Sequence, residues 1–396
     1  MHPAAHARTA LVGATVITAP DAVAIRDGIV LIEDGRITAV GPRSQIAVPA
    51  GAEIVHAEGT TITAAFWNTH VHFLDPRWEG ALAGPAEPLA AGVRDMLTRW
   101  GFAHVVDTGS PLNQTMALRR RIEAGELRGP TIRAAGATYI AVGGQPTYVA
   151  FKLPELATPE AARTAITAQL DAGSDIIKLM TASVVAHPPP PVMPVAVVRA
   201  VTDTAHARGV LVYAHPTTLG GVLAARDGGV DILAHTAPAT GPWSAAEASS
   251  LVAAGMSLVP TLSLWRAELE HEVPELAERF ENTAVDQVRA FAAAGGVLLF
   301  GTDVGYRPEY DPTSEHRLLA RAGLTFAARL TMLTTAPAQR FHAAHTGRIT
   351  AGMDADIVVL DGDPTTDPDA FARVRCTFRR GAPIFETAAG ACSGTR

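Results

Sequence analysis

Residues 175–216 read DIIKLMTASVVAHPPPPVMPVAVVRAVTDTAHARGVLVYAHP. A short apolar run (175–181) is followed by an Ala-rich stretch (193–209) with apolar residues at helical spacing, then by a second short apolar run (210–216). Strand, helix, strand in that order is the repeating unit of a parallel sheet. The rhythm continues outward in both directions. Further apolar runs stand at AAFWNTH (64–70), FAHVVDT (102–108), TIRAAGA (131–137), DILAHTA (231–237), SLVPTL (257–262) and VLLFGTD (297–303), and amphipathic spacing lies between them, as in TPEAARTAITAQLDAG (158–173). Eight such units predict an α/β chain closed into a (β/α)8 TIM barrel in preference to an open doubly wound sheet. No GxGxxG or GxxxxGK motif opens a helix, so the signature of a nucleotide-binding sheet is missing. The prolines in HPPPP (187–191) cannot continue a helix or join an inner strand and predict a stiff loop after the fourth strand.

Beyond these units the pattern changes. TALVGATVIT (9–18), GIVLIEDGRITAVG (28–41) and AEIVHAEGTTITA (52–64) read as short strands and turns, and TGRITAGMDADIVVLDGD (346–363) and RCTFRRGAPIFE (375–386) repeat that pattern at the other end. The two ends predict one small, discontinuous β-sandwich from residues 1–63 and 346–396, with the barrel occupying 64–345. A chain of 396 residues accommodates a barrel of about 250 residues and one such satellite.

A hydrophobic content of 48% against 18% charged residues is enough to bury a large core and exceeds what a disordered chain carries. A net charge of -7, with no clustered Lys or Arg, argues against nucleic acid and other polyanionic partners and leaves a small-molecule substrate. No segment offers a signal-like leader or an uninterrupted apolar span, so no membrane association and a cytoplasmic enzyme are expected; assembly into a homo-oligomer stays open. The two cysteines, Cys376 and Cys392, are too few for a disulfide framework and are expected to be reduced and incidental.

The chemistry is concentrated at strand ends. His70 and His72 are one residue apart at the end of the first barrel strand, so the two-residue period puts both imidazoles on one face, where they can grip a metal. His215 ends the fifth strand, His235 the sixth and Asp303 the eighth. Each alone fits a structural role, but together they converge on the rim where such barrels gather catalytic groups. Lysine supplies a further signal. Only Lys152 and Lys178 occur among 32 basic residues. Lys152 falls in the polar stretch FKLPEL and reads as a solvated residue, whereas Lys178 stands inside DIIKLM, where an unpaired ammonium is costly to bury.

HxH on the first strand, Lys on the fourth, single His on the fifth and sixth and Asp on the eighth together resemble the binuclear amidohydrolases. The resemblance extends to the flanking sandwich and the closing GMDADIVVLDGDP (352–364), and is strongest to the imidazolonepropionase-like and Xaa-Pro-dipeptidase-like branch. It implies two divalent ions, with zinc favoured by the imidazole and carboxylate donors. His70, His72 and Asp303 would hold the more buried ion, His215 and His235 the more exposed one, and Lys178, carbamylated by carbon dioxide, would bridge them. Carbamylation converts a cation into a two-oxygen anion suited to two cations, a conversion closed to arginine.

The expected reaction is cleavage of a C–N amide bond in an N-acyl amino acid, small amide, lactam or dipeptide-like substrate by a metal-bridging hydroxide, with Asp303 moving the proton. In dipeptidase-like relatives a histidine in a GGH loop helps hold a substrate carboxylate; here GGQP places Gln145 at that point, which weakens the dipeptide reading. Tyr139, Trp243, Trp265, Tyr306 and Tyr310 are candidates for an apolar pocket, and Arg266 and Arg307 for holding an anionic group. His104 reads as an interior packing residue, His187 as exposed or pocket-lining, and His316 as lying on the helix after the eighth strand, near the site or on a solvated face. Two rivals remain: a one-metal deaminase or cyclic amidine or imidazolone hydrolase, which has no need of Lys178, and a catalytically silent scaffold, which would have no reason to keep six ligand-type residues.

Overall fold

The computed structural model describes residues 8–183, 191–271, 273–388 and 392. The strands in chain order are β1 (Arg8–Val16), β2 (Ile25–Glu33), β3 (Arg36–Pro42), β4 (Glu53–His56), β5 (Thr60–Ala64), β6 (Phe66–Val71), β7 (Phe102–Asp107), β8 (Thr131–Ala134), β9 (Thr138–Ala141), β10 (Glu155–Leu156), β11 (Ile176–Ala182), β12 (Leu211–Pro216), β13 (Ile232–Ala234), β14 (Ser257–Val259), β15 (Val297–Leu298), β16 (Ile357–Asp361), β17 (Val374–Arg379) and β18 (Ala382–Glu386).

The middle of the chain forms a (β/α)8 barrel. β6, β7 and β8 pair in parallel, as do β11 through β15, and β9 and β10 extend the second arc. Main-chain hydrogen bonds bridge both seams. Thr69 N donates to Phe300 O (2.8 Å), Asp303 N to His70 O (2.9 Å) and His72 N to Val304 O (2.8 Å) at one seam, and Asp175 N donates to Ala134 O (2.8 Å) at the other. Strand alternation sorts the side chains. Ile177 and Leu179 pack outward against the helices, whereas Ile176 joins Trp67, Val106, Tyr213, Ile232 and Leu299 in a core of their own. The same parity carries Lys178 and Met180 to the cavity above.

Both ends of the chain enter one eight-stranded sheet, in the order β18-β17-β16-β5-β1-β2-β3 with β4 beside β1. β16 runs antiparallel to β5, Ile357 opposite Ala64 and Asp361 opposite Thr60, so the end of the chain is stitched to the strand that leads into the barrel. At this junction His104 is buried, as its position in FAHVVDT suggested. Its ring stacks on Trp67 (centroids 4.5 Å) and its Nε2 lies 2.9 Å from Asp356 Oδ2, while Asp356 Oδ1 accepts from Arg380 N at 2.7 Å.

Two sequence expectations change here. Cys376 and Cys392 are joined in a disulfide, with Cα atoms 6.0 Å apart, instead of being reduced. Their separation of 16 residues gave no motif; the tail must fold back on β17 before they meet. His316 does lie on the helix Thr313–Arg321 but on no solvated face: it is buried between Phe300 and Phe371, with centroids at 4.8 and 5.2 Å, and burial lowers its imidazole pKa to about 3. His187 and Pro188–Pro190 fall outside the described residues. Among the described residues, no helix is long and apolar enough to cross a membrane.

Candidate active site

The six strand-end residues meet at the floor of one cavity of about 1220 Å³. His70 Nε2 and His72 Nε2 lie 3.1 and 3.0 Å from Asp303 Oδ1, and His235 Nε2 lies 3.9 Å from Asp303 Oδ2. The His235 ring is 4.6 Å from that of His70 and 4.7 Å from that of His215, and Lys178 and His215 line the same cavity. One ligand atom each from His70, His72 and Asp303 falls within a 4.8 Å cluster able to hold an ion.

Local backbone conformation aims these groups. His235 (φ 80°), Thr261 (φ 44°) and Asp303 (φ 61°) are non-glycine residues in the left-handed region where the chain leaves three neighbouring barrel strands. Each such residue costs about 1–3 kcal/mol and persists where its surroundings fix it, as at active sites. Hydrogen bonds then set the rings. Gly109 O sits 3.1 Å from His72 Nδ1 and Thr261 Oγ1 sits 2.6 Å from His235 Nδ1, so Nε2 of each is the atom left to face inward. Gly305 (φ +92°) is required at its position, because a Cβ there would come within 1.8 Å of His72 O.

The electrostatics suit a cation. Burial, reinforced by the nearby Lys178, pushes the His70 and His215 imidazoles down to about 3, and burial reinforced by His70 pushes that of His235 well below its ordinary value, which leaves them neutral with lone pairs free. Burial alone would raise the Asp303 carboxyl, but the surrounding imidazoles, His70 foremost, hold it well below the usual range and keep it an anion. Burial lowers the Lys178 ammonium to about 8. Although buried, both ring nitrogens of His70 and Oδ1 of Asp303 have no hydrogen-bond partner. Unpartnered buried polar atoms are rare, and a neutral-imidazole and carboxylate donor set fits a divalent metal.

The remaining sequence candidates divide. Tyr139, Trp265 and Tyr306 line the cavity, with Tyr139 Oη donating to Gln169 Oε1 (2.9 Å) and Trp265 Nε1 to Thr236 Oγ1 (2.8 Å). Trp243 does not; it packs on Phe291 behind the barrel. Arg266 points away and pairs with Glu281 (2.7 Å), and Arg307 is buried with Ser263 Oγ (2.6 Å) and Glu309 (3.3 Å), so both guanidiniums are committed to the protein. Tyr310 packs at the edge of the main core. Gln145 braces its own loop: its Nε2 donates to Val149 O (3.2 Å) and Phe151 O (3.0 Å), and its Oε1 accepts from Leu153 N (3.0 Å). Lys152 is exposed, as the sequence reading had it, and also lines the cavity, so both lysines of the chain border it.

Sequence reasoning passed over Asp107. It ends β7 as Asp303 follows β15, and this strand-end position was the available signal. Fully buried, it accepts from Ser110 Oγ (2.6 Å), Thr115 Oγ1 (2.7 Å) and Gly109 N (3.2 Å), and so shapes the loop that fixes His72. Tyr148, Glu268 and Phe280, also on the cavity wall, carried no signal because their loop and helices are placed only by the tertiary fold.

Comparison with known proteins agrees with this geometry. A crystal structure of a candidate prolidase from Bifidobacterium longum superposes with a TM-score of 0.82 at 25% identity, covering 98% of this chain and 96% of that one. A Xaa-Pro dipeptidase with bound methionine has the same fold (TM-score 0.82, 20% identity, covering 96% of this chain and all of that one, 100%). An allantoinase from Solibacter usitatus (strain Ellin6076) is 41% identical over 66 residues, a local match spanning 16% of this chain and 13% of the allantoinase. The family model described as the amidohydrolase family matches residues 61–391, from the last strand before the barrel through the returning strands of the sheet. The chain therefore belongs to the amidohydrolase family, a family of hydrolases.

Proposed function

We propose that the protein is a binuclear metal amidohydrolase that cleaves a C–N amide bond. The observation that carries this reading is the unpartnered His70 and Asp303 pair at the floor of a cavity that also receives His72, Lys178, His215 and His235. His70, His72 and Asp303 would hold one divalent ion and His215 and His235 the second, with carbamylated Lys178 between them. Zinc is the favoured metal because neutral imidazoles and carboxylates suit it. When bound, such ions supply Lewis acidity toward an amide carbonyl and lower the pKa of water. The chain itself does the rest. Asp303, anionic and set among imidazoles, would accept at its carboxylate the proton released by the attacking water and pass it to the leaving amine. Trp265, Tyr139 and Tyr306 present apolar faces to the acyl or amine portion of a small molecule.

The test is Asp303→Asn with metal content measured beside turnover. Loss of turnover with ions retained supports the proton-holding role; near wild-type turnover with ions retained removes it. A one-ion centre is the second reading, favoured by the fact that only His70, His72 and Asp303 form a tight ligand group among the described residues. The same proposal includes a cytoplasmic setting, and the Cys376–Cys392 disulfide weighs against it because reducing compartments keep thiols reduced.

A further inference from the structure

Outside the cluster at its floor, the cavity wall carries two charged side chains among the described residues, Lys152 and Glu268, and no arginine. Lys152 and Glu268 are both exposed to solvent. Glu268 belongs to the helix Leu262–Leu269, whose face of Leu264, Trp265, Glu268 and Leu269 forms one wall. Tyr306, from the loop after β15, lies beside the Glu268 carboxyl, and Tyr148, from the loop after β9, packs on Tyr306 with ring centroids 5.1 Å apart. This carboxyl makes no ion pair with any described lysine or arginine. Arg307, the guanidinium that influences it, is already held by Ser263 and Glu309. The cavity wall thus carries a carboxylate that, among the described residues, no lysine or arginine pairs with, Lys152 included.

We propose that Glu268 is a specificity-determining residue that pairs with a protonated amine or amidine on the substrate, so that amides bearing a cationic group are preferred over those bearing a carboxylate. An ammonium ion held against the apolar cavity wall gives up part of its hydration and gains from a charged acceptor, which the exposed Glu268 supplies, whereas a carboxylate meets like charge there. The word amide rests on the function proposed above; the pairing of Glu268 with a cation does not.

Binding calorimetry on the metal-loaded protein with phenethylamine, phenethyl alcohol and phenylacetate, three ligands of similar size that differ in charge, tests the pairing. Glu268→Gln is expected to weaken phenethylamine about tenfold, to leave the alcohol within about twofold, and not to weaken phenylacetate. An unchanged amine affinity overturns the proposal, as does equal weakening of all three ligands, which marks a structural role. Tightest binding by phenylacetate, lost in Lys152→Ala, also overturns it. Turnover of β-alanine anilide against butyric anilide is measured in parallel. If neither is hydrolysed while amine binding still follows Glu268, the hydrolase reading fails and the pairing stands.

Discussion

Among the described residues, a buried histidine meets a buried carboxylate at the junction with the terminal sheet and again at the cavity floor, and the two places differ. At the junction with the terminal sheet, His104 and Asp356 satisfy each other at 2.9 Å, Arg380 N completes the carboxylate, and neither residue leaves a buried side-chain nitrogen or oxygen without a partner. At the opposite end, His70 and Asp303 approach to 3.1 Å yet leave three buried atoms unpartnered, beside non-glycine residues in left-handed backbone. A saturated pair stabilises the fold. An unsaturated, strained one is arranged to bind something else.

The sharpest way to break this contrast is to mutate both ends. Asp303→Asn is expected to lower kcat/KM by roughly 10²–10⁴-fold while shifting thermal stability little, read by turnover and calorimetry. Asp356→Ala should do the reverse: removing one partner of a buried pair costs about 3–5 kcal/mol in denaturant unfolding, with metal content and the activity of the folded fraction retained. A large loss of activity in the second variant, at full stability, would erase the distinction.

Acid sensitivity sharpens it further. Burial raises the Asp356 carboxyl, but the His104 imidazole outweighs burial and holds it below its ordinary value of 3.8. The folded state therefore binds fewer protons than the unfolded state between those two values. The stability Asp356 contributes is complete above the unfolded value and is lost as pH falls through the lower, folded one. Unfolding free energy in Asp356→Asn should accordingly fall less steeply than wild type below about pH 4, measured by denaturant titration across that range.

Smaller effects are expected away from both pairs. Gln145→Ala, which releases three loop contacts, should raise KM by about fivefold with kcat little changed, since a net hydrogen bond is worth about 1 kcal/mol. Arg266→Ala removes the pair with Glu281 on the outer side of its helix and should change kcat/KM by less than about twofold, as expected for a partly exposed ion pair. A much larger loss there would return Arg266 to the substrate site.

These contrasts also explain what could be read from the sequence. The strand-end residues His70, His72, Lys178, His215, His235 and Asp303 were legible because a parallel barrel puts every strand end on one rim, so position along the chain implies position in space. Tyr139, Trp265 and Tyr306 line the cavity where loop membership alone suggested it, but the same argument misdirected Trp243, Arg266 and Arg307. Loops and outer helices have no fixed parity: Arg266 follows Trp265 by one residue, about 100° round the helix, and pairs with Glu281 instead of lining the cavity. The Cys376–Cys392 pairing and the turn of Glu268 toward Tyr306 depend on segments folding back, which no local pattern records.

In the proposed centre the unsaturated cluster would hold two ions joined through Lys178. The most direct measurement is the metal content per chain, by plasma mass spectrometry, after zinc loading in bicarbonate and desalting, for wild type and Lys178→Ala. Roughly two ions are expected in wild type and a clear deficit in Lys178→Ala. One ion or none in wild type, or equal content in the two proteins, contradicts it.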